Sequence, residues 1–267
     1  MQDILVQIVE YKRRLVKMQK SRLSPAALYA KVDKQMADGL FTTYSMRQSL
    51  AKSSSGIIAE FKRKSPSKGW INPNASSAVV PLAYSKAGAS ALSILTDSYF
   101  FGGHSNFVRN ARHSGVECPI LRKDFIIDEY QVYQAREMGA NAILLIAACL
   151  SQEQCKHLAQ VAHRLQLETL LEVHSESELE YVHSDIDMVG VNNRNLGTFH
   201  TDVNTSFRLA GKLPKNYLLV SESGISNPNT VRQLRQIGFR GFLIGETFMK
   251  TADPAKALNQ FIQDVIA

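Results

Sequence analysis

The sequence predicts an α/β chain folded as a (β/α)8 barrel behind an N-terminal helical extension. Three observations predict it. Eight short apolar runs follow residue 55. Their starts lie 19 to 34 residues apart, room for one helix and two loops between successive runs. The runs are mostly continuous rather than alternating, as in parallel strands buried on both faces by helices. An open doubly wound sheet would share this pattern, but the first run is not followed by the Gly-x-Gly-x-x-Gly turn of such sheets.

In order, the runs occupy residues 57–62, 91–96, 119–123, 142–147, 169–173, 188–192, 217–221 and 241–245. Several gaps carry helical patterning. Residues 128–138 are one example, with Gly139 behind them as a stop signal. Residues 1–47 precede the barrel, which takes up residues 48–267. They read as two or three amphipathic helices: Ile4, Leu5, Ile8 and Val9 fall at helical spacing, and Ser24-Pro25-Ala26 has the form of a helix start. The pattern leaves open whether these helices lie across the barrel or mediate dimerisation. No low-complexity segment or linker divides the chain, so one domain is expected; the sequence does not fix the oligomeric state, and a monomer is compatible with it.

Composition excludes several classes. Apolar residues make up 45% of the 267, enough for a full-sized core, and the 21% of charged residues is that of a folded chain rather than a disordered one. The N-terminal segment is charged at both ends and holds no long apolar run, which argues against a signal peptide or a membrane span. The expectation is a cytoplasmic protein with no membrane partner. Cys118, Cys149 and Cys155 are odd in number and lack CxxC spacing, so they read as packed thiols rather than a disulfide framework. The net charge of +7 raises the question of nucleic acid. However, Lys and Arg are dispersed, apart from clusters at 12–14 and 62–68. That distribution suits a small anionic substrate, and no nucleic-acid partner is expected.

In such barrels the reaction site lies at the C-terminal ends of the strands. The runs carry polar residues there: Glu60, Lys62 and Ser65 at the first, Lys123-Asp124-Phe125 at the third, Glu172 on the fifth. Asn192-Asn193-Arg194-Asn195-Leu196 ends the sixth, Ser221-Glu222-Ser223-Gly224 the seventh, and Gly245-Glu246 the eighth. A charge buried without a partner costs several kcal/mol or shifts its pKa. Six strands ending this way point to a polar cavity for a charged ligand rather than to a single structural ion pair. Ser223-Gly224 and Gly245-Glu246 together have the form of a phosphate site, where glycines let backbone N–H groups approach. The Glu246 side chain should turn away, leaving its N–H. The histidines offer no metal spacing. His157 and His163 are six apart and His174 and His183 nine apart, so each reads as a surface or satisfied interior residue.

Seven segments in register resemble the indole-3-glycerol-phosphate synthase family. They are residues 58–69 (IAEFKRKSPSKG), 95–97 with 100–103 (LTD, FFGG), 119–126 (PILRKDFI), 171–174 (LEVH), 190–196 (GVNNRNL), 221–225 (SESGI) and 241–246 (GFLIGE). The likeness covers about residues 3–260, extension included, and is to the stand-alone form of the TIM-barrel enzyme. It implies a lyase of tryptophan biosynthesis that closes a pyrrole ring on 1-(2-carboxyphenylamino)-1-deoxyribulose 5-phosphate, then loses carbon dioxide and water. No metal or organic cofactor is implied.

The resemblance also implies residue roles. Lys123 is the general acid at the ketone oxygen. Glu172, Lys62 and Glu60 share the acid and base of the dehydration, their division left open, and Asn192 orients Glu172. Ser65, Arg194 and Glu222 contact substrate, with Arg194 and Lys62 offsetting its anionic groups. Phe125, Leu144, Leu196 and Leu243 line the aromatic slot, with Pro66 and Phe101 as further candidates. Lys62, Ser223, Gly224, Gly245 and Glu246 hold the phosphate. The family often carries Ser where Glu246 stands. Opposite charges around Lys123 should keep it protonated at neutral pH. Two other readings compete with it. A phosphoribosylanthranilate isomerase would need a Cys and Asp pair, and no Cys lies near the first strand end. A dead barrel kept as a scaffold should have lost the strand-end charges.

Overall fold

The computed structural model describes residues 4–195, 197–198 and 200–267. Three helices come first: α1 (Ile4–Arg22), α2 (Pro25–Ala37) and α3 (Met46–Lys52). The expected start at residue 24 is there: Ser24 Oγ accepts the Ala27 N–H at 3.3 Å and Pro25 opens α2. Ser45 caps α3 in the same way.

Among the described residues, eight parallel strands close into a barrel: β1 (Ile57–Phe61), β2 (Ala91–Leu95), β3 (Ile120–Lys123), β4 (Ala142–Ile146), β5 (Glu168–Val173), β6 (Met188–Asn192), β7 (Leu218–Glu222) and β8 (Phe239–Ile244). Each begins and ends within two residues of an apolar run. β8 pairs with β1, Phe242 opposite Ile57, and this closes the ring. A two-residue hairpin, Lys64–Ser65 against Gly69–Trp70, projects beyond β1.

The connections supply α4 (Val80–Lys86), α5 (Asn106–His113), α6 (Glu129–Glu137), α7 (Gln152–Arg164), α8 (Asn204–Ala210) and α9 (Pro228–Gln236), with α10 (Glu246–Met249) and α11 (Pro254–Ile266) after β8. In α6, Asp128 caps the start through the Tyr130 N–H, and Gly139 takes φ +90° just beyond the end. The fifth connection departs from the expected helix. It is the shortest gap, and its described residues form only a 3-10 turn, Glu176–Tyr181, with no buried side chain and hence no apolar stripe to hold a helix.

Along each strand, side chains alternate between two packed layers. Ile57, Ala59 and Phe61 point outward into the helix-covered core. Ile58, Leu121, Leu170, Met188 and Leu218 point inward and fill the barrel. Further along the same inward face, one step on for Glu60, Lys123 and Glu172 and two for Asn192 and Glu222, polar side chains replace them. The barrel interior therefore changes from apolar to charged toward its C-terminal end.

The extension lies across the barrel. Met46 and Leu50 of α3 are fully buried in the inner apolar cluster and plug the N-terminal end. α2 stands on the outer wall, where Tyr29 stacks on Tyr133 of α6 with ring centroids 3.8 Å apart. α1 crosses the C-terminal end of the barrel, where Ile8 joins Phe125 and Leu144. Lys12 fixes it there: buried, it sits 2.8 Å from Asp97 and 2.7 Å from Asp124. No described helix is long and apolar enough to cross a membrane.

Candidate active site

A cavity of about 520 Å³ opens at the C-terminal ends of the strands. Its walls hold Glu60, Lys62 and Ser65 from the β1 end, Lys123 and Phe125 from the β3 end, Leu144 from β4 and Glu172 from β5. Asn192 and Arg194 come from the β6 end, Glu222, Ser223 and Gly224 from the β7 end, and Leu243, Gly245 and Glu246 from the β8 end. Pro66 and Phe101 line it too. Leu196 lies outside the described residues.

Two ion pairs organise the floor. Lys62 Nζ lies 2.7 Å from Glu60 Oε1, and Lys123 Nζ lies 3.2 Å from Glu172 Oε2. Burial alone would lower the pKa of Lys123. Glu172, Glu222 and Glu60 outweigh it and hold the ammonium above its ordinary value, so Lys123 is charged at neutral pH.

The two carboxyl groups beside Lys123 behave differently. Burial would raise Glu172, but Lys123, His174 and the Asn192 side chain hold it below the usual carboxylate range. Glu222 is pushed well above that range by burial and by the charge of Glu172. It sits 3.9 Å from Lys123, and neither of its oxygens has a hydrogen-bond partner among the described residues. One ammonium beside two buried carboxyl groups favours the ionised form of one and leaves the pKa of the other raised. Glu222 and Glu60 each adjoin a glycine. A Cβ at position 190 would stand 2.3 Å from Glu222 Oε1, and one at 245 would stand 2.5 Å from Glu60 Oε1.

At the β7 end, Ser223 and Gly224 both take left-handed backbone conformations, φ +65° and +74°. For Ser this is a strained choice. Asn193 holds the turn, its side-chain amide donating to Ser221 Oγ at 3.1 Å and to the Ser223 carbonyl at 3.0 Å. Gly245 precedes α10, and the half-exposed Glu246 carboxylate lies 3.9 Å from the Lys68 ammonium of the hairpin. Arg194 donates to Ser67 Oγ at 3.2 Å, tying the hairpin to the β6 end. The opposite wall is apolar: Phe125, Leu144 and Leu243, with Phe101 and Phe125 centroids 6.0 Å apart.

Sequence reasoning missed part of the site. Ile4, Leu5 and Ile8 of α1 line the cavity, as do Thr201 and Lys250. Helical spacing marked the first three as buried without saying against what. Asp97 and Asp124 stood inside the matched segments, yet only their shared partner Lys12 reveals their use. His174 lies 3.4 Å from Glu172 Oε1; it too stood inside a matched segment, but its histidine spacing gave it no role. Among the described residues, no group of three or more His, Cys, Asp or Glu is placed to hold a metal ion.

The profile of the family described as indole-3-glycerol phosphate synthase matches residues 5–261. The chain belongs to the indole-3-glycerol phosphate synthase family. It is 57% identical to the indole-3-glycerol phosphate synthase of Bacteroides thetaiotaomicron over 265 residues, 99% of this chain and 100% of that one. It is 42% identical to the synthase of Magnetococcus marinus, across 97% of this chain and 98% of the relative. Solved barrels share the fold at low identity. The 3-hexulose-6-phosphate synthase of Salmonella typhimurium superposes with a TM-score of 0.62 at 12% identity, covering 79% of this chain and 98% of its own. The tryptophan synthase α subunit of Legionella pneumophila gives 0.59 at 15% identity, covering 84% and 98%.

Proposed function

We propose that this member of the indole-3-glycerol phosphate synthase family converts 1-(2-carboxyphenylamino)-1-deoxyribulose 5-phosphate to indole-3-glycerol phosphate, carbon dioxide and water, with Lys123 as the general acid of ring closure. The observation that carries the assignment is the Lys123 ammonium at 3.2 Å from Glu172, inside a cavity with one apolar wall and glycine-bearing turns at its far end.

The chemistry assigns the parts. The ring carbon bearing the carboxylate attacks the C2 ketone, and negative charge grows on the ketone oxygen. Lys123 delivers its proton there. Carbon dioxide then leaves and its bonding electrons restore the aromatic ring. Dehydration removes a proton from the carbon next to nitrogen and expels the C2 hydroxyl as water. Glu172, ionised and steadied by Asn192, suits the base. Lys62 with Glu60, or Glu222 with its raised pKa, can supply the acid. Arg194 and Lys62 offset the anionic groups of the substrate, and Ser65 closes the hairpin side.

The N–H groups around Ser223, Gly224, Gly245 and Glu246 form the phosphate end. Phe125, Leu144 and Leu243 take the aromatic ring. Leu196 is proposed to join them on the strength of the family motif alone. Every charge these steps need comes from a side chain, so the reading invokes no cofactor. It includes a cytoplasmic monomer with a small phosphorylated substrate and no nucleic-acid partner, which the dispersal of Lys and Arg supports.

An indole-fluorescence assay with the carboxyphenylamino substrate tests this. The parent protein forms product, and Lys123→Met loses at least about 10²-fold in kcat. An unimpaired variant would remove Lys123 from its role, and a folded parent that makes no product would remove the reaction.

A further inference from the structure

The charge chain at the β5 end runs past Glu172. His174 stands two residues beyond it, between the end of the strand at Val173 and the 3-10 turn that starts at Glu176. Its Nε2 lies 3.4 Å from Glu172 Oε1, the oxygen that Lys123 does not engage. Its Nδ1 lies 3.4 Å from Glu178 Oε2. The same Glu178 oxygen accepts the His174 backbone N–H at 2.6 Å, which fixes the carboxylate against the turn. The ring is largely buried, its side chain 14% exposed. Neither ring nitrogen is aligned for a hydrogen bond among the described residues, so the two contacts act as ion pairs.

We propose that His174 is a positioning residue for the reaction: held from behind by Glu178, its ring keeps the Glu172 carboxylate ionised and turned with one oxygen toward Lys123. This rests on the reaction proposed above and adds a residue to it. A carboxylate can rotate about its last bond. With Lys123 on one oxygen and a second cation on the other, rotation swaps no partner without breaking an ion pair.

The surroundings favour a charged ring. Burial lowers its pKa, but Glu172 and Glu178 more than reverse this and push it up to about 10. The other titratable groups nearby are Lys123 and Glu222 at the β3 and β7 ends, and the Cys149 thiol from the turn after β4. Burial and the charges of Glu172 and Glu178 push that thiol up to about 12, so it adds no charge at neutral pH.

A histidine serving only as packing predicts something else: its replacement would lower stability and leave the folded enzyme at full rate. The test uses His174→Gln and Glu178→Gln in the full chain, with three readouts. In the first, kcat falls about tenfold or more in His174→Gln, the worth of one pKa unit of lost interaction, while KM stays within about twofold. In the second, the acid limb of kcat moves up by about one pH unit, because Glu172 loses a cation that favoured its ionised form. In the third, the ring 15N spectrum of the unliganded parent at pH 8 shows both His174 nitrogens protonated, and Glu178→Gln lowers the pH at which the ring loses its proton.

Glu178→Gln, on a surface turn, keeps the test open should His174→Gln not fold. Product from the parent with kcat and the acid limb unchanged in the folded variants overturns the role of His174 alone. So does a neutral ring in the parent at pH 8. No product from the folded parent overturns the reaction itself, and the ring spectrum then still decides whether the ion pairs exist.

Discussion

A methyl group at position 245 would collide with Glu60, and one at 190 with Glu222, at 2.5 and 2.3 Å from a carboxylate oxygen. These two glycines are kept small by the side chains they face. Gly245→Ala should move Glu60 off Lys62. The expected outcome is a fall in kcat well beyond the fall in stability, which overpacking sets at about 1–3 kcal/mol; steady-state kinetics beside a denaturant titration checks it. Asp124 gives a pH prediction. Burial would raise it, but Lys12 and Arg122 bring it down to about 2 in the folded chain. A carboxyl group with a depressed folded pKa stabilises above its unfolded value near 3.8 and loses that contribution as pH falls through about 2. Asp124→Asn should therefore flatten the acid side of the stability curve between those values and cost stability at neutral pH. Acid unfolding followed by circular dichroism reads both. These residues also show where sequence reading stopped. Lys123, Glu172 and Glu222 could be found because strand ends in a barrel converge and each charge terminates an apolar run. Lys12 could not: as one basic residue in a cluster of three on a surface-looking helix, it became interpretable only through two aspartates far along the chain.

At the scale of elements, the continuous apolar runs and their spacing carried the fold, and strand positions were legible to within two residues. Ile58 then Glu60, Leu121 then Lys123, and Leu170 then Glu172 each place a charge directly above an apolar side chain on the inward face. The connection after β5 was less so, because spacing reports room for a helix and not the apolar stripe that holds one down. The extension was legible as helices but not as a wrap. α1 gives the sharpest test. Lys12→Met leaves Asp97 and Asp124 buried without their shared cation, and removing one partner of a buried pair costs about 3–5 kcal/mol. Hydrogen exchange should then rise in α1 ahead of the barrel strands. Equal protection in parent and variant would mean that Ile8 and its neighbours, not the ion pairs, hold the helix.

For the whole molecule, the cavity joins an apolar wall to a ring of charges and two glycine-bearing turns, and ligand binding should lock these together. Product at one-hundred-fold above its dissociation constant should stabilise the chain by about 2.7 kcal/mol, a rise in Tm of several degrees. A barrel retained only as a scaffold would show no shift, so differential scanning separates the two.

The Lys12 clasp spans 85 residues to Asp97 and more to Asp124. A clasp of that reach fixes an order of assembly. The first helix synthesised gains one ionic partner, Asp97, only after the second strand and the other, Asp124, only after the third, and the first strand has no second neighbour until the eighth arrives. The amphipathic face of α1 has no ion pair to seat it until residues 97 and 124 have been made, and the mouth it covers is complete only when the eighth strand closes the ring. The non-local contacts that complete the catalytic end are those whose loop-closure entropy is met latest, so competence for chemistry marks the finish of folding rather than an intermediate stage of it.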